Sequence, residues 1–400
     1  MNILNLAPFN VWDLGYRKGR ASTYLPLKGL ADAGHGVWWL TNVEEVGSGD
    51  DARLREDGIE VVRFSLAVER TQRRGLAIPL SKVHSLFFIV ACFRAGYALA
   101  RRIRPDLIYA HQLLSAFPAV LLAQILRIPY AVKAYGFFPQ IFQSPLYWGK
   151  LAFKLPASLY VLTNDGTSAD RIALSHGVPR GKIAFLLNGI DKDLPRKADL
   201  SLKRRLAPSG QKIVLAAFRL VAWKRVDLLI RAVPQVVEQN PNVVFVIVGE
   251  GPEKESLISL CENLGVSRFV RFEGAVPNER IPSYMCAADI FTSLNKTSNL
   301  GNPLLEAMCC GKAVIAANTG TTSDVIGHGL NGILLEDNVL DRLPSEILRL
   351  LGDDSLRESL GQAARQFVID NWPTWEERVT QEVQLLEDVM TRHRRAATRT

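Results

Sequence analysis

Short apolar runs alternate with amphipathic segments along almost the whole chain. In the first half, apolar runs of strand length predict strands over 1–7, 37–42, 59–65, 106–110, 130–134 and 158–162. Apolar residues at helical spacing predict intervening helices over 22–33, 83–104 and 115–126. Strands that alternate with helices are typical of a parallel sheet covered on both faces.

The alternation begins again after a polar stretch, residues 192–211, which predicts a linker. Strands are predicted over 212–217, 243–248, 270–273, 290–294 and 313–316, and helices over 226–239, 252–264, 281–286 and 303–309. Two such series predict an α/β chain of two Rossmann-like domains, 1–188 and 189–372, whose parallel sheets face an interdomain cleft.

Composition supports two cores without a disulfide framework. The chain has 400 residues, of which 48% are hydrophobic and 22% charged. The five cysteines show no C-x-x-C spacing, which favours reduced core residues over disulfides or a zinc site. The longest apolar stretch, 86–100, is interrupted by Arg94, and no leader opens the chain. We therefore expect a cytoplasmic protein.

The net charge of +8 indicates an anionic partner, such as phosphate groups, nucleic acid or an acidic membrane surface. A basic segment, Arg70 to Arg74, precedes an apolar run at 76–80 and the helix predicted from 83. This arrangement is compatible with peripheral docking on an acidic membrane. A solvated loop before a core helix is the more common explanation of such a segment.

A glycine-containing turn follows the strand predicted over 243–248. In open parallel sheets, ligands bind beyond the carboxyl ends of the strands. There Gly249, Glu250 and Gly251 lead to Pro252 and a helix, and such a turn can present backbone N–H groups to a phosphate or sugar. Position 254 is Lys, so the dinucleotide fingerprint lacks its third glycine. A tight structural turn without a ligand remains an alternative.

Two cations follow the strand predicted over 212–217. Arg219 and Lys224 lie five residues apart, a spacing that suits a diphosphate, because guanidinium binds bidentately and ammonium adds a point charge. The alternative is a solvated basic loop.

A helix entrance follows the strand predicted over 290–294. Asn302 is a strong N-cap residue and Pro303 favours the first helical position. The N–H groups of Leu300, Gly301 and Asn302 should therefore cluster at the positive end of a helix dipole. Glu306, in the predicted first turn, is either stabilised by that dipole or accepts hydrogen bonds from a ribose diol.

Five motifs occur in a fixed order along the chain: NGID at 188–191, FRL at 218–220, VGEGP at 248–252, FEGAV at 272–276 and LLEAM at 304–308. Together they resemble the signature of glycosyltransferase family 4, whose members are retaining nucleotide-sugar glycosyltransferases of the GT-B fold. Segments 33–37 and 105–111 are similar to the family's N-terminal domain, so the resemblance extends over essentially the whole chain.

The resemblance implies roles for individual donor-site residues. Arg219 and Lys224 would hold the donor diphosphate and stabilise the charge of the leaving group, as catalytic residues. Glu306 would accept from the ribose hydroxyls, and the backbone around Val276 would contact the base edge.

Loop residues complete the implied donor site. Leu300, Gly301 and Asn302 would cover the phosphate and the donor sugar, and the Gly249-Glu250 turn would lie beside them. The loop at Lys18-Gly19 matches the family's glycine-rich loop, which approaches the leaving phosphate.

The resemblance also implies partners and chemistry. The acceptor, a glycan or a lipid-linked molecule, would attack on the leaving group's face, with retention and without cofactor, metal or nucleic acid. Asp191-Lys192-Asp193 spells a D-x-D metal motif, but Asp191 here ends the NGID signature. The implied pathway is polysaccharide or glycoconjugate synthesis.

The chain departs from the family pattern at two positions of the implied site. Ser298 stands where the family usually has a Glu, eight residues before Glu306, and Tyr135-Gly136 stands for the usual His-Gly. A branch of the family with TNDGT and NLGNP stretches matches this chain better. In it Asn299 and Ser298 would replace the carboxylate by neutral hydrogen bonds to the donor sugar.

Four residues of the first domain are candidates for the acceptor side. His111 either faces the acceptor or is a hydrogen-bonded core histidine. Lys133 and Tyr135 share one face of a strand, so both are expected to reach the cleft. Asp165 either caps the next helix or binds acceptor hydroxyls.

The last segment resembles the family's closing helix, over about 373–391, which packs back on the N-terminal domain, followed by a frayed basic tail at 392–400. Two other functions on the same fold remain open. One is a nucleotide-sugar-binding protein that has lost catalysis, and the other is an epimerase.

Overall fold

The computed structural model describes residues 1–12, 17, 21–66, 80–136, 149–298 and 300–398. The chain forms two compact units. Unit 1 consists of Met1–Asn164, Ser168–Asn188 and Trp375–Thr400, and unit 2 of Asp165–Thr167 and Gly189–Thr374. Three residues inside the predicted first domain, 165–167, thus group with unit 2.

The strands, in chain order, are β1 (Asn2–Ala7), β2 (Gly36–Thr41), β3 (Ile59–Arg63), β4 (Leu107–His111), β5 (Tyr130–Ala134), β6 (Leu159–Asn164), β7 (Ile183–Leu187), β8 (Lys212–Ala217), β9 (Val243–Val248), β10 (Val270–Gly274), β11 (Ile290–Ser293), β12 (Ala313–Ala317) and β13 (Ile333–Leu335).

The helices, in chain order, are α1 (Ala21–Asp32), α2 (Asp50–Glu56), α3 (Leu80–Ile103), α4 (Ala116–Leu126), α5 (Gly149–Ala152), α6 (Ala169–Ser175), α7 (Leu202–Leu206), α8 (Val226–Gln239), α9 (Lys254–Asn263), α10 (Ile281–Ala287), α11 (Asn302–Cys309), α12 (Leu343–Gly352), α13 (Asp354–Asn371) and α14 (Trp375–Ala397). Short 3-10 turns join several of them.

Unit 1 is built on a parallel sheet of order β3-β2-β1-β4-β5-β6-β7. Successive side chains of a strand point to opposite faces, and the core divides accordingly. In β1, Leu4 and Leu6 join one buried cluster, whereas Ile3 and Ala7 join the other. The second cluster also contains residues of α1 and α14, such as Leu27 and Leu386, so two helices that are far apart in the sequence complete this core. The predicted parallel α/β architecture is confirmed.

Charged side chains lie inside that second core. Glu382 of α14 and Lys133 of β5 are fully buried, and Lys133 Nζ lies 2.6 Å and 2.9 Å from the two carboxylate oxygens. Lys133 also donates to the Ser22 carbonyl oxygen (3.0 Å), and Tyr109 Oη donates to Glu382 (2.7 Å). Arg378 Nη1 lies 2.7 Å from the same carboxylate. Polar contacts from two strands and from α14 itself therefore converge on one carboxylate, and Lys133 links it to α1.

The pKa of Glu382 reflects this surrounding. Burial by itself would raise it, but the charges of Lys133 and Arg378 and the hydrogen bonds from Lys133 and Tyr109 outweigh burial and hold it at about 2. Glu382 is therefore ionised, and α14 is attached to the sheet by a charged pair.

Unit 2 is built on a second parallel sheet, of order β10-β9-β8-β11-β12-β13. All six residues of β9 are buried, as expected for a central strand covered on both faces. The strand order reverses direction between β8 and β11. In such sheets this switch point is where ligands bind, beyond the carboxyl ends of the strands.

Some elements differ from the sequence-based prediction. The linker predicted over 192–211 contains α7, whose Leu202 and Leu206 are buried. The tail predicted as frayed from 392 is helical to Ala397, and Arg394 lies 3.4 Å from Asp106. The sequence analysis predicted no element at the positions of β7, β13, α2, α5, α12 and α13. All five residues of β7 are half-buried, which weakens the apolar signal of a strand.

The cysteines are all free thiols, with Cys92, Cys261 and Cys309 buried and Cys286 and Cys310 half-buried. In the ranges that the structure describes, no helix combines the length and apolar character needed to cross a membrane.

We predict that Glu382→Gln destabilises unit 1 by about 3 to 5 kcal/mol, because it leaves two buried cations without a counter-charge. Urea unfolding of the full chain measures this. Glu387→Gln is the matched control on the same helix, since the Glu387 side chain is 39% exposed and, among the residues that the structure describes, His35 is its one ion-pair partner. The control should lose less than about 1 kcal/mol. Equal losses in both variants would contradict a special role for the buried carboxylate.

Candidate functional site

The candidate site lies at the switch point of unit 2, where the loops after β8 and β11 approach each other. Lys296 N, in the second loop, donates to the Trp223 carbonyl oxygen in the first (2.9 Å). Arg219 and Lys224 follow β8, whereas Ser298 and Glu306 follow β11. The parallel topology therefore brings together residues that are distant in sequence.

Lys224 is a desolvated cation. It ends a 3-10 turn, Ala222–Lys224, and its Nζ lies 4.2 Å from the Trp223 ring centroid and 4.8 Å from that of Phe218. Burial lowers the pKa of Lys224 to about 8, against the opposing charge of Asp165. No carboxylate forms an ion pair with it among the residues described. Its charge is thus held in place and available to an anion.

Arg219 is the first cation after β8 and is exposed. Its side chain makes no hydrogen bond or ion pair within the described parts of the chain. One loop therefore offers an exposed guanidinium and a half-buried ammonium.

The Gly249-Glu250 turn packs directly on this loop. A Cβ at Gly249 would overlap the Phe218 carbonyl oxygen, and one at Gly251 would overlap the carbonyl oxygen of Leu220. Gly249 N donates to the Gly274 carbonyl oxygen (2.8 Å), and the Glu250 carboxylate accepts from Lys254 (2.7 Å). These contacts favour the structural-turn alternative for this motif.

The entrance to α11 differs from the prediction. Gly301, with φ −133° and ψ 164°, is the N-cap, and its carbonyl oxygen accepts from Leu304 N (3.1 Å) and Leu305 N (3.3 Å). Asn302 is therefore the first helical residue and not the cap, because the chain is still extended at Gly301. Glu306 lies beyond the first turn, and the predicted dipole stabilisation of that turn does not apply to it.

Glu306 has an unusual carboxyl group. Burial, and then the charge of Asp191, raise its pKa to about 7. No described residue donates a hydrogen bond to it. A ligand that donates hydrogen bonds to this carboxylate, such as a diol, would therefore gain a partner that the protein does not supply.

Ser298 holds a loop in place. Its Oγ donates to the Asp165 carbonyl oxygen (2.6 Å) and accepts from Leu300 N (3.1 Å). The prediction that this hydroxyl serves the donor sugar is therefore not what its contacts indicate. In addition, Thr321 N donates to the Gly166 carbonyl oxygen (3.2 Å).

Asp165 does not cap a helix. Its Oδ1 accepts from Thr167 N (3.1 Å) and Thr167 Oγ1 (2.6 Å), and the N-cap of α6 is Ser168. Burial raises the pKa of Asp165 to about 6, although Thr167 and Lys224 act in the opposite direction. Sequence reasoning missed its place beside Lys224. The only available signal was the joint occurrence of the TNDGT and NLGNP stretches.

Three candidates for the acceptor side lie in unit 1. Lys133 was expected to reach the cleft, but its side chain is fully buried in the ion pair with Glu382. His111 is also buried, with Nε2 3.0 Å from Asn5 Oδ1 and Nδ1 2.8 Å from Tyr135 Oη. These contacts agree with the hydrogen-bonded core histidine. Tyr135 is half-buried, and Thr23 Oγ1 donates to its hydroxyl (3.1 Å).

Val276 and the D-x-D carboxylates are the other predicted residues that the structure describes. Val276 is half-buried, directly after β10. In the D-x-D sequence, Asp191 is ion-paired with Lys197, and Asp193 lies 3.4 Å from Arg196. Predictions for Lys18, Gly19, Arg70 to Arg74 and Asn299 fall outside the described residues. Across the described ranges, no three His, Cys, Asp or Glu side chains cluster as metal ligands would.

Two family models match the chain. Residues 199–367 match the model "Glycosyl transferases group 1", and residues 22–189 match "Glycosyl transferase 4-like domain". The two matched segments together cover most of the chain. The chain belongs to the GT-B glycosyltransferases.

Solved structures show the same fold for this GT-B family member. The chain resembles Anabaena Alr3699/HepE in complex with UDP-glucose, with a TM-score of 0.73, 21% identity, and 97% and 99% of the two chains covered. It also resembles a sucrose-phosphate synthase from Thermosynechococcus elongatus, with a TM-score of 0.74, 19% identity, and 98% and 99% covered.

A curated relative of this family member is a GDP-mannose-dependent alpha-(1-6)-phosphatidylinositol monomannoside mannosyltransferase of Mycolicibacterium smegmatis. The two are 29% identical over 253 residues, which are 58% of this chain and 66% of the relative. The match thus spans slightly less than two thirds of the relative's length.

We predict that Glu306→Gln stabilises unit 2 near pH 8 but not near pH 5. Between pH 4.5, the ordinary pKa of the group, and pH about 7, the Glu306 carboxyl is protonated in the folded state and ionised in the unfolded state. The stability of the wild type therefore falls as the pH rises through this window. The gain near pH 8 should be on the order of 2 to 3 kcal/mol.

Denaturant unfolding at both pH values measures this effect. Glu358→Gln, an exposed position on α13, is the control and should follow the wild type at each pH. The prediction of a raised pKa for Glu306 would be wrong if the unfolding free energy of Glu306→Gln differed from that of the wild type by the same amount at both pH values.

Proposed function

We propose that the chain is a retaining glycosyltransferase that moves a sugar from a nucleotide-diphosphate donor to an acceptor hydroxyl. The observation that carries the proposal is that Arg219 and Lys224 follow β8 and Glu306 follows β11, on the two sides of the switch point of unit 2, and that no described residue donates a hydrogen bond to the Glu306 carboxyl. Two cations suit a diphosphate, and a carboxylate suits a ribose diol. The family to which the chain belongs supports the same activity.

The charge changes of the reaction explain why these groups are useful. Cleavage of a sugar–phosphate bond builds positive charge on the anomeric carbon and negative charge on the departing diphosphate. Lys224, held between Trp223 and Phe218, stabilises that negative charge without having to reorganise. A bound phosphate in turn raises the lowered pKa of Lys224, which keeps the ammonium protonated.

We propose that the reaction requires no divalent metal. Both D-x-D carboxylates are engaged by basic side chains, Asp191 by Lys197 and Asp193 by Arg196. In this proposal the charge of the leaving diphosphate is balanced by Arg219 and Lys224. Retention follows from acceptor attack on the face of the leaving group.

The acceptor is proposed to be a glycan or a lipid-linked molecule of polysaccharide or glycoconjugate synthesis. The mycobacterial relative is named for a phosphatidylinositol monomannoside acceptor and a GDP-mannose donor. The structural neighbour from Anabaena was solved with UDP-glucose. GDP-mannose and UDP-glucose are therefore the first donors to test.

One alternative is a catalytically silent nucleotide-sugar-binding protein, which the Ser298 substitution favours. Another is an epimerase, which would change the donor in the absence of an acceptor. Donor binding without turnover distinguishes the first, and a changed sugar in an acceptor-free incubation distinguishes the second.

We predict that Arg219→Ala or Lys224→Ala lowers sugar transfer or donor hydrolysis by about a hundredfold or more, because each removes charge stabilisation of the leaving group. A thermal-shift screen first selects between UDP-glucose and GDP-mannose, since a ligand of the folded state raises the melting temperature. Turnover is then measured with and without EDTA.

The matched control is Arg231→Ala, which removes an exposed cation on α8 that faces Asp227 at 3.8 Å. It should keep activity within about twofold. Loss of turnover in EDTA would overturn the metal-free mechanism. Full activity in Arg219→Ala and Lys224→Ala would overturn the proposed site.

We also propose that unit 1 docks on an acidic membrane surface, at the cytoplasmic face of a membrane. Leu86, Phe87, Val90 and Tyr97 of α3 are between 38% and 51% exposed. Arg94 and other arginines towards the end of α3 are exposed as well, and the helix contains no acidic residue. At 100° per residue, these positions share one side of the helix. Exposed apolar side chains beside uncompensated cations suit anionic lipid.

We predict that the chain co-sediments with phosphatidylglycerol vesicles and not with phosphatidylcholine vesicles. Leu86→Ser combined with Val90→Ser should weaken this binding about tenfold, because two apolar anchors are lost. Leu330→Ser in unit 2 is the control, since Leu330 is 76% exposed and lies outside this surface. Equal weakening by the control, or no binding by the wild type, would refute the docking surface.

A further inference from the structure

Residues 165–167 form a short loop directly after β6. The strand belongs to unit 1, whereas the loop belongs to unit 2. Two hydrogen bonds end on carbonyl oxygens of the loop, and a third orients one of the donors. Ser298 Oγ donates to the carbonyl oxygen of Asp165 (2.6 Å), Thr321 N donates to that of Gly166 (3.2 Å), and Leu300 N donates to Ser298 Oγ (3.1 Å). The loop therefore contacts Ser298 and Leu300, which lie shortly before α11.

The loop also fits closely against that segment. Gly166 has φ +83°, and a Cβ there would overlap Ser298 Oγ and lie 2.9 Å from the Cβ of Leu300. A Cβ at Gly320 would overlap the Gly166 carbonyl oxygen. A glutamate at position 298 would therefore compete with the loop for space. Ser298 is accounted for as the small hydroxyl residue that admits the loop.

The loop brings a carboxylate of its own. Both hydrogen bonds from Thr167 end on Asp165 Oδ1, so they fix the orientation of the carboxyl group. No hydrogen bond from another described residue ends on Asp165 Oδ2. One segment joins this loop to the cation loop, because Ser298 Oγ donates to the Asp165 carbonyl oxygen and Lys296 N donates to the Trp223 carbonyl oxygen, next to Lys224 (2.9 Å). The charges of Asp165 and Lys224 also act on each other, although they form no direct ion pair. The carboxylate thus lies beside the cation assigned to the donor diphosphate.

We propose that Asp165 is the carboxylate that recognises the donor sugar in this chain, in place of residue 298. Its Oδ2 accepts hydrogen bonds from sugar hydroxyls next to the diphosphate at Lys224. This inference rests on the proposed function and assigns Asp165 to the donor rather than to the acceptor. A carboxylate can accept hydrogen bonds from two hydroxyls at once. The Ser298 hydroxyl cannot do this, because it already donates to the Asp165 carbonyl oxygen and accepts from Leu300 N.

The test compares two ligands that differ only by the sugar. Calorimetric titration of the full chain with UDP-glucose and UDP, and with GDP-mannose and GDP, identifies the pair that the wild type binds. Asp165→Asn keeps the shape of the side chain and an acceptor for Thr167. We expect it to weaken binding of the nucleotide sugar about tenfold to a hundredfold, since hydrogen bonds to a charged group are lost. Binding of the matching nucleoside diphosphate should stay within about threefold.

The diphosphate titration also shows whether the variant is folded. Asp170→Asn, the same change in the first turn of α6, is the control and should bind both ligands as the wild type does. Equal weakening of nucleotide sugar and diphosphate by Asp165→Asn would overturn the inference, because Asp165 would then act through Lys224. Unchanged binding of both would overturn it as well. A wild type that binds none of the four nucleotides would instead overturn the proposed function, and the inference with it.

Discussion

The ammonium of Lys133 and the carboxylate of Glu382 meet in the interior of unit 1 although 249 residues separate them in the sequence. Both side chains are fully buried, so neither charge is hydrated, and each depends on the other for its stability. Arg378 and Tyr109 add to the same carboxylate. The Lys133 ammonium also holds the start of α1 through the Ser22 carbonyl oxygen. Atoms of β4, β5, α1 and α14 therefore meet at this one pair.

Unit 2 places ionisable groups in a different state. Lys224, Glu306 and Asp165 are all desolvated, and in each case the pKa has moved towards neutrality. In contrast to Lys133 and Glu382, none of the three forms an ion pair in the described parts of the chain. An internal salt bridge stabilises unit 1, whereas unit 2 keeps its charged groups available for a ligand. Desolvated ionisable groups without an ion pair lower the stability of the folded state, and such groups are common in binding sites.

The sequence predicted most of the fold and part of the site. Strands such as β8 and β9 were located to the residue, because fully buried strands are continuous apolar runs with polar ends. The helix entrance at Gly301 was placed one residue late, since backbone dihedrals decide an N-cap and Asn302 satisfies only the side-chain preference. Arg219 and Lys224 were identified from their position after a strand, which the parallel topology makes informative.

Long-range contacts were the part that the sequence did not reveal. Lys133 has the spacing of a residue that faces a cleft, and only its distant partner explains why it is buried. Asp165 was expected either to cap the next helix or to bind acceptor hydroxyls, both within the first domain, yet its loop packs in unit 2. Such contacts leave no periodic pattern, because the two partners lie on segments whose separation is unrelated to helix or strand repeats.

The position of α14 has a consequence for the order in which the chain folds during synthesis. Unit 2 is complete once residue 374 has been made, but the core of unit 1 lacks α14 until residues 375–397 have also been made. Until then Lys133 has no counter-charge, and one face of the first sheet lacks its covering helix. Of the two units, unit 1 is therefore the later to be completed, although most of its residues are made first, and the nascent chain carries an unfinished apolar surface until α14 has been made.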